Sequence, residues 1–457
     1  MDANSSEEVK CPACGRPLQE QGQLGFGAVA SAFWPRRSKL RSCCEHASVL
    51  NSLRRGMQPR PPPTRHGVRV LALDGGGTRG LVTIAMLKEL ERVSGRRVQE
   101  LFDVIGGTST GGLLALGLQE GYSLTQLEEH YHTLAAEVFR TPWREGRDGH
   151  ARAAGLGNLL VTGATYKAHS LESVFKKLLG QAKPMLDRRA EQEVSFRAAQ
   201  EASQAMPAAD TRPPPPPPPP NAFVIACLAS QTPLAPYLFR NYELRDDVVE
   251  PHAVVEPLQG TSEAAAWEAL RATTAAPSFF AAFALGERVF IDGALLANNP
   301  AAVALSEARA LYPGEPIACL ASFGTGEFPP GELSGREVGS WSHTVKGLVA
   351  AATRTEEVHA TLSGLLRPNV PYFRFNPRIP ASPLDETCTH KLKALQEVGQ
   401  SFMSPGGGGA RDCEALSSVL RKASSPPWGQ RRWPSLNRAA ISGILRSKIT
   451  RGTLSRL

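Results

Sequence analysis

The stretch that decides the fold is LFDVIGGTSTGG, residues 101–112. Its apolar, β-branched beginning, residues 102–105, predicts a buried strand. The apolar run after the glycines, residues 113–118, predicts a buried helix because it is too apolar for an exposed face. A strand, a sharp turn and a helix, with Ser109 inside G-x-S-x-G, form the pattern of a nucleophile elbow.

Two glycines flank this serine in the motif. Gly107 and Gly111 would let the backbone take a strained turn that pushes the Ser109 hydroxyl into the open. The hydroxyl would then lie at the N-terminus of the following helix, where developing negative charge is stabilised. An ordinary Gly-Ser-Thr loop is the alternative interpretation, since the motif alone is a weak signal.

A second glycine-rich turn, DGGGTRG at residues 74–80, follows a predicted strand, Val68–Leu73, and precedes a predicted helix. It fits G-x-G-x-x-G formally, which indicates a dinucleotide site. That interpretation requires a second strand that ends in an acid about 20 residues later, and no such strand is predicted.

The other use of such a loop is an oxyanion hole. Consecutive glycines expose their amides, so the N–H groups of Gly75, Gly76 and Gly77 are the candidate donors. Arg79 would add fixed positive charge nearby. The elbow serine further along the chain makes this second interpretation the better one.

A third motif, Asp292-Gly293-Ala294, follows a short predicted strand. Taken alone, Asp-Gly is a common turn. The repeated strand–loop–helix rhythm, however, predicts an α/β fold with a largely parallel sheet and helices on both faces. In such a fold Ser109, Asp292 and the first glycine loop all follow the carboxyl ends of strands, where open α/β sheets place their active sites.

Length and composition, 457 residues of which 42% are hydrophobic, predict one main domain with tails. The predicted divisions are an N-terminal arm, a catalytic domain with a proline-rich insertion, a helical extension of that domain, and a basic tail; these are residues 1–65, 66–330 with insertion 183–221, 331–403, and 404–457. No apolar run approaches the roughly 18 residues of a membrane span.

The N-terminal arm contains candidate zinc ligands, which are Cys11, Cys14, Cys43, Cys44 and His46. One structural zinc in a knuckle is one interpretation, although the spacing is irregular. The alternatives are free thiols on an unfolded arm, or lipidation of the adjacent pair of cysteines among basic residues. The scattered cysteines and the polar N-terminus favour an intracellular protein.

Charge is concentrated near the C-terminus. The net charge is +8, and residues 415–457 hold nine Lys and Arg but no Asp or Glu. Apolar residues recur at helical spacing within 441–451, which is typical of a basic amphipathic segment on a membrane surface; a solvated basic tail is the alternative, and nucleic acid is not expected. Ser455, Arg456 and Leu457 are a variant of the peroxisomal address.

The eight prolines from Pro213 to Pro220 predict polyproline II. Such a run acts as a stiff spacer or as a ligand of a proline-reading domain. A solvated loop without a specific role is the third interpretation.

Together the three motifs resemble those of patatin-like phospholipases. The flanks from Trp267 and from Thr355 are similar to the gamma-type calcium-independent phospholipase A2 branch, and the resemblance runs from about residue 68 to 403. It implies a three-layer α/β/α fold, a Ser109–Asp292 dyad that cleaves fatty-acyl esters of glycerophospholipids, and no metal or cofactor. Ala294 departs from the family, which often has glycine there.

Other mechanisms and functions stay open. A Ser-His-Asp triad needs a histidine after the acid, and His343, His359 and His390 all follow Asp292. The same dyad would also serve a neutral-lipid lipase or a transacylase. A non-enzymatic scaffold, built on the proline run and the basic tail, is the remaining alternative.

Overall fold

The computed structural model describes residues 67–139, 164–180, 184–204, 219–244, 258–328 and 355–422. The chain divides into two compact units. Residues 59–189 and 216–428 form the larger unit, which contains the sheet and the candidate site. Of the smaller unit (1–58, 190–215 and 429–457), the described part is the C-terminal portion of a helix, Met185–Gln204.

In the described ranges, nine strands form one mixed sheet. They are β1 (Val68–Leu73), β2 (Val104–Thr108), β3 (Asn221–Leu228), β4 (Ala235–Arg240), β5 (Gly260–Thr261), β6 (Phe283–Leu285), β7 (Arg288–Asp292), β8 (Ile317–Phe323) and β9 (Tyr372–Phe375). The order is β5-β4-β3-β2-β1-β8-β9, and β7 pairs with both β3 and β6. Pairings from β3 through β2, β1 and β8 to β9 are parallel, whereas β3 meets β4 and β7 antiparallel.

Helices of the larger unit cover both faces of this sheet. The described part of the chain contains twelve α-helices. They are α1 (Gly80–Ser94), α2 (Val98–Leu101), α3 (Thr110–Gln119), α4 (Leu124–Leu134), α5 (Ala168–Leu179), α6 (Met185–Gln204), α7 (Ala266–Thr273), α8 (Ala294–Ala297), α9 (Ala301–Leu311), α10 (Glu356–Leu366), α11 (Thr389–Met403) and α12 (Ala410–Lys422). Because strand side chains alternate, β1 sends Leu71 and Leu73 into the core under α1 and α3, and Val68 and Val70 into the core under α9. The predicted three-layer α/β/α architecture is confirmed.

The second strand begins later than the sequence predicts. It runs over Val104–Thr108 rather than residues 102–105, because Gly106 and Gly107 pair in parallel register with Ala72 and Leu73 of β1. A Cβ on Gly106 would lie 2.2 Å from the Phe223 ring of β3, so this strand interior requires glycine.

The C-terminal region contains two elements that the sequence does not predict. The extension predicted as helical, 331–403, contributes β9, an edge strand of the central sheet. The predicted basic tail, 404–457, begins with α12, which buries Cys413, Leu416 and Leu420 in the same core as α1. These apolar residues recur at helical spacing, so the folded unit extends beyond residue 403.

Several sequence predictions lie outside the described residues. They concern the zinc candidates Cys11, Cys14, Cys43, Cys44 and His46, the prolines up to Pro218, residue His343, the amphipathic segment 441–451 and the C-terminal Ser455, Arg456 and Leu457. Within the described ranges, no helix combines the length and the hydropathy that a membrane crossing requires.

Candidate active site

Strand register brings the elbow serine and the third motif together. Along β3, Ile225 pairs with Thr108, the last residue of β2, and the next residue, Ala226, pairs with Asp292 at the end of β7. The neighbouring positions on β3 therefore place Ser109, which follows Thr108, beside Asp292. These two side chains are separated by 183 positions in the sequence.

The elbow itself is strained at the serine. Ser109 has φ 52° and ψ −117° and is the N-cap residue of α3. A Cβ on Gly107 would lie 2.2 Å from the carbonyl oxygen of Gly111, and a Cβ on Gly111 would lie 2.1 Å from that of Leu73. The glycines are thus required for close packing, while the serine carries the unfavourable torsion, which costs on the order of 1–3 kcal/mol.

Ser109 and Asp292 are directly hydrogen-bonded. The Ser109 hydroxyl donates to Oδ2 of Asp292 at 2.7 Å. The other carboxylate oxygen, Oδ1, accepts the backbone N–H of Ala294 at 2.8 Å, which fixes the carboxylate plane. The side chain of the serine is thus held by an acceptor of the kind a general base supplies.

Burial makes this carboxylate more basic. Asp292 is 4% exposed, and desolvation raises its pKa to about 6, while the hydrogen bonds from Ala294 and Ser109 act in the opposite direction. An aspartate at its ordinary pKa of about 3.9 is a poor base at neutral pH. Burial therefore brings the pKa of Asp292 close to the range in which a carboxylate serves as a base at neutral pH.

The departure at Ala294 is accommodated without strain. A Cβ on Gly293 would lie 2.1 Å from the carbonyl oxygen of Ile225, so this position requires glycine. Ala294 begins the short helix α8, a conformation open to any L-residue.

The glycine loop supplies fewer free amides than the sequence predicts. The Gly75 N–H donates to the carbonyl of Asn298 at 3.1 Å, so this amide is already engaged, and its role as an oxyanion donor stays a prediction. The amides of Gly76 and Gly77 donate to no group in the described part of the chain. They are the two candidate donors of this loop.

Arg79 lies in the wall of the same cavity. Its Nε donates to the Gly76 carbonyl at 3.2 Å, and its guanidinium lies 5.0 Å from the centre of the Phe328 ring. Burial lowers the pKa of this guanidinium to about 10, so it stays charged at neutral pH. The hydrogen bond to Gly76 holds the Arg79 side chain against the glycine loop.

A cavity of about 850 Å³ opens over these groups. Ser109, Asp292, Gly76, Gly77 and Arg79 line it on the polar side. Much of the remaining lining is aliphatic or aromatic, including Leu113, Leu134, Phe139, Leu171, Phe175, Phe279, Phe280 and Leu295. No described lining residue is a histidine.

The family model of patatin-like phospholipases matches residues 71–305, which contain the glycine loop, the elbow and Asp292. The chain belongs to the patatin-like phospholipase family. The match spans half of the chain and all three motifs.

Two proteins that are similar to this chain in sequence are both named phospholipases. The chain is 34% identical to rat (Rattus norvegicus) calcium-independent phospholipase A2-gamma over 75% of its length and 39% of that protein. It is 31% identical to phospholipase A I of Arabidopsis thaliana over 74% of its length and 26% of that protein. The chain thus spans about two fifths or less of these curated relatives.

Among solved structures, VipD from Legionella pneumophila aligns with a TM-score of 0.34 and 14% identity, over 78% of this chain and 67% of that one. This TM-score is low, and family membership rests on the sequence matches alone.

The patatin-like site also uses residues that motif reading missed. Thr273, the last residue of α7, accepts the Ser109 N–H at 2.8 Å and donates to the carbonyl of Ile225. Thr110 donates to the Gly77 carbonyl at 2.9 Å, which joins the elbow helix to the glycine loop. A hydroxyl at the end of a helix has no distinctive spacing, so no sequence signal points to Thr273.

Replacement of Thr273 by Val is expected to slow catalysis and lower stability. The partly buried Ser109 N–H would lose its acceptor, a loss of about 1 kcal/mol. Thr273→Ser, which keeps the hydroxyl, is the matched control and should retain most of the activity. Thermal denaturation and the rate of fluorophosphonate labelling at Ser109 measure both effects; equal rates for the two variants would contradict the assigned contact.

Proposed function

We propose that the protein is a serine lipid acyl hydrolase of the calcium-independent phospholipase A type, which cleaves fatty-acyl esters of glycerophospholipids. The single observation that carries the proposal is the 2.7 Å hydrogen bond from Ser109 to Asp292 beneath a large, mainly apolar cavity. Family membership and the phospholipase names of the relatives support the substrate class.

The proposed first step is acyl transfer to the enzyme. Asp292 takes the proton of the Ser109 hydroxyl as the oxygen attacks the ester carbonyl. The amides of Gly76 and Gly77 receive the negative charge of the tetrahedral intermediate, and Arg79 adds positive charge near it. The intermediate collapses with cleavage of the ester C–O bond, and Asp292 returns the proton to the departing alcohol of the lysophospholipid.

The second step repeats this chemistry with water. Asp292 deprotonates a water molecule that attacks the acyl-Ser109 ester. Collapse of the second intermediate releases the fatty acid and restores the serine hydroxyl. A pKa of about 6 lets one carboxylate accept and return a proton near neutral pH.

The proposal is tested by mass-spectrometric product analysis on mixed lipid vesicles with excess EDTA. The wild-type protein is expected to release free fatty acid and lysophospholipid, while Ser109→Ala and Asp292→Asn are expected to release far less of both. Triacylglycerol in the vesicles tests a neutral-lipid lipase, and an added acyl acceptor tests a transacylase. Absence of any product, together with absence of fluorophosphonate labelling at Ser109, would favour the scaffold alternative.

A dyad is favoured over a triad because the serine hydroxyl donates to a carboxylate rather than to an imidazole. His359 contacts Tyr372 instead, with 3.3 Å between Nδ1 and the phenol oxygen, and His390 is exposed. His343 lies outside the described residues. Single substitutions of the three histidines decide the question, since a dyad enzyme survives all of them.

We also propose, from sequence alone, that the protein is an intracellular peripheral membrane protein. The basic segment 441–451 would meet an anionic phospholipid surface, and Ser455, Arg456 and Leu457 would direct the protein to peroxisomes. Vesicle co-sedimentation with and without residues 441–457, and imaging of a variant without the last three residues, test the two parts separately.

A further inference from the structure

A buried arginine lies directly behind the glycine loop. The side chain of Arg374 on β9 is 4% exposed, and it donates to Oδ2 of Asp74 at 2.7 Å. It also donates to the Ser322 hydroxyl at 2.8 Å and to Glu356 at 2.7 Å. A planar guanidinium with three acceptors in fixed directions is a rigid connector, which an ammonium group cannot reproduce.

Asp74 is the residue from which the glycine loop starts. It is 1% exposed, and its N–H donates to the Phe323 carbonyl at 3.0 Å. Burial raises the pKa of Asp74 to about 6, and the charge of Arg374 opposes that rise. Arg374 therefore favours the ionised form of a carboxylate that desolvation would otherwise neutralise.

Other contacts hold the rest of the loop in place. The Thr325 hydroxyl donates to the Gly75 carbonyl at 2.9 Å, and the Thr78 N–H donates to the Leu384 carbonyl at 2.8 Å. These partners all follow residue 305, where the match to the family model ends. The free amides of Gly76 and Gly77 lie between these fixed points.

We propose that Arg374 is a positioning residue for catalysis, which acts through Asp74 to orient the amides of Gly76 and Gly77 toward the oxyanion. The inference rests on the proposed acyl hydrolase function. Since a displacement of about 1 Å in such a site can cost about 100-fold in rate, loss of Arg374 should lower kcat by about that factor. KM should change little, because the oxyanion forms only in the transition state.

The test compares full-length wild type with Arg374→Met, Arg374→Lys and a control, Arg378→Met. The control removes an exposed arginine four positions further along, whose contact is with Glu327. Two quantities are measured with a fluorophosphonate probe: the rate constant of Ser109 labelling and its end point. Arg374→Met should label about 100-fold more slowly to the same end point, Arg374→Lys about 10-fold more slowly, and the control at the wild-type rate.

A purely structural role gives different results. It would lower the end point, because part of the protein would be unfolded, and it would leave the rate of the folded fraction unchanged. The double variant Asp74→Asn/Arg374→Met removes both charges of the pair and carries the test if Arg374→Met does not fold. A slow rate in the double variant supports positioning, whereas a wild-type rate overturns it.

Failure of this inference and failure of the proposed function are distinguishable. If wild-type protein neither labels at Ser109 nor hydrolyses phospholipid, the proposed function fails and the role of Arg374 falls with it. If wild type is active and Arg374→Met labels at the same rate, only the inference about Arg374 is overturned.

Discussion

Ser109→Ala is expected to lower kcat for phospholipid hydrolysis by about 10⁶-fold, the loss typical of removing a serine nucleophile. The variant keeps the buried strand pairing and the cavity, because Ala occupies the same backbone position without the hydroxyl that donates to Asp292. Fatty-acid release from vesicles measures the loss. Activity within tenfold of wild type would show that another group performs the attack.

Ser109→Gly is the matched control for backbone strain. Both variants lack the hydroxyl, so both should be inactive. The φ of 52° is unfavourable for Ala but not for Gly. The glycine variant should therefore be more stable than the alanine variant by about 1 kcal/mol or more, and it should unfold at a higher temperature. Equal stability of the two variants would argue that the observed torsion carries no strain.

Asp292→Asn is expected to lower kcat/KM by about 10²–10⁴-fold, the range for loss of a general base. The amide still accepts the Ala294 N–H, so the local turn should persist.

In the wild type, kcat/KM should rise with pH as the carboxyl of Asp292 ionises near pH 6, and it should level off above that pH. Burial raises the pKa of Asp74 into the same range. If kcat/KM of the variant still falls at low pH, that fall is assigned to protonation of Asp74.

The same substitution should change stability in a pH-dependent direction. The pKa of Asp292 is about 6 in the folded protein and lies near its ordinary value in the unfolded chain, so the folded state binds the proton more tightly. Its ionisation therefore destabilises the fold as pH rises from about 4 to 6, by up to about 3 kcal/mol. Asp292→Asn should be more stable than wild type at pH 8, with the difference shrinking toward pH 4.

Denaturant titrations of both proteins at pH 4.5 and pH 8 measure this difference. The contribution of Asp74 is present in both proteins and cancels. A variant that is less stable than wild type at pH 8 would show that the hydrogen bonds of the carboxylate outweigh its desolvation.

Local patterns accounted for a large part of the fold. Strand β1 begins and ends where its apolar run predicts, at Val68–Leu73. The second strand was predicted too early, because glycine is depleted in strands generally and Gly106 is required here only by the Phe223 ring. The sequence predicts the residues of α12 as part of the basic tail, because the positive charge of that region obscures the short apolar stripe that this helix buries.

The sequence by itself determined the three motifs and their order, because each depends on neighbouring residues: apolar alternation, a run of glycines after a strand, and a polar residue at a strand end. Tertiary structure alone decided which groups are available for chemistry. In the fold, the Gly75 amide donates to the carbonyl of Asn298, and burial of Asp292 raises its pKa to about 6. The fold also brings Arg374 into contact with Asp74, which is 300 positions away in the sequence. Desolvation and competition for hydrogen-bond partners depend on groups far apart in the chain, and no local pattern encodes them.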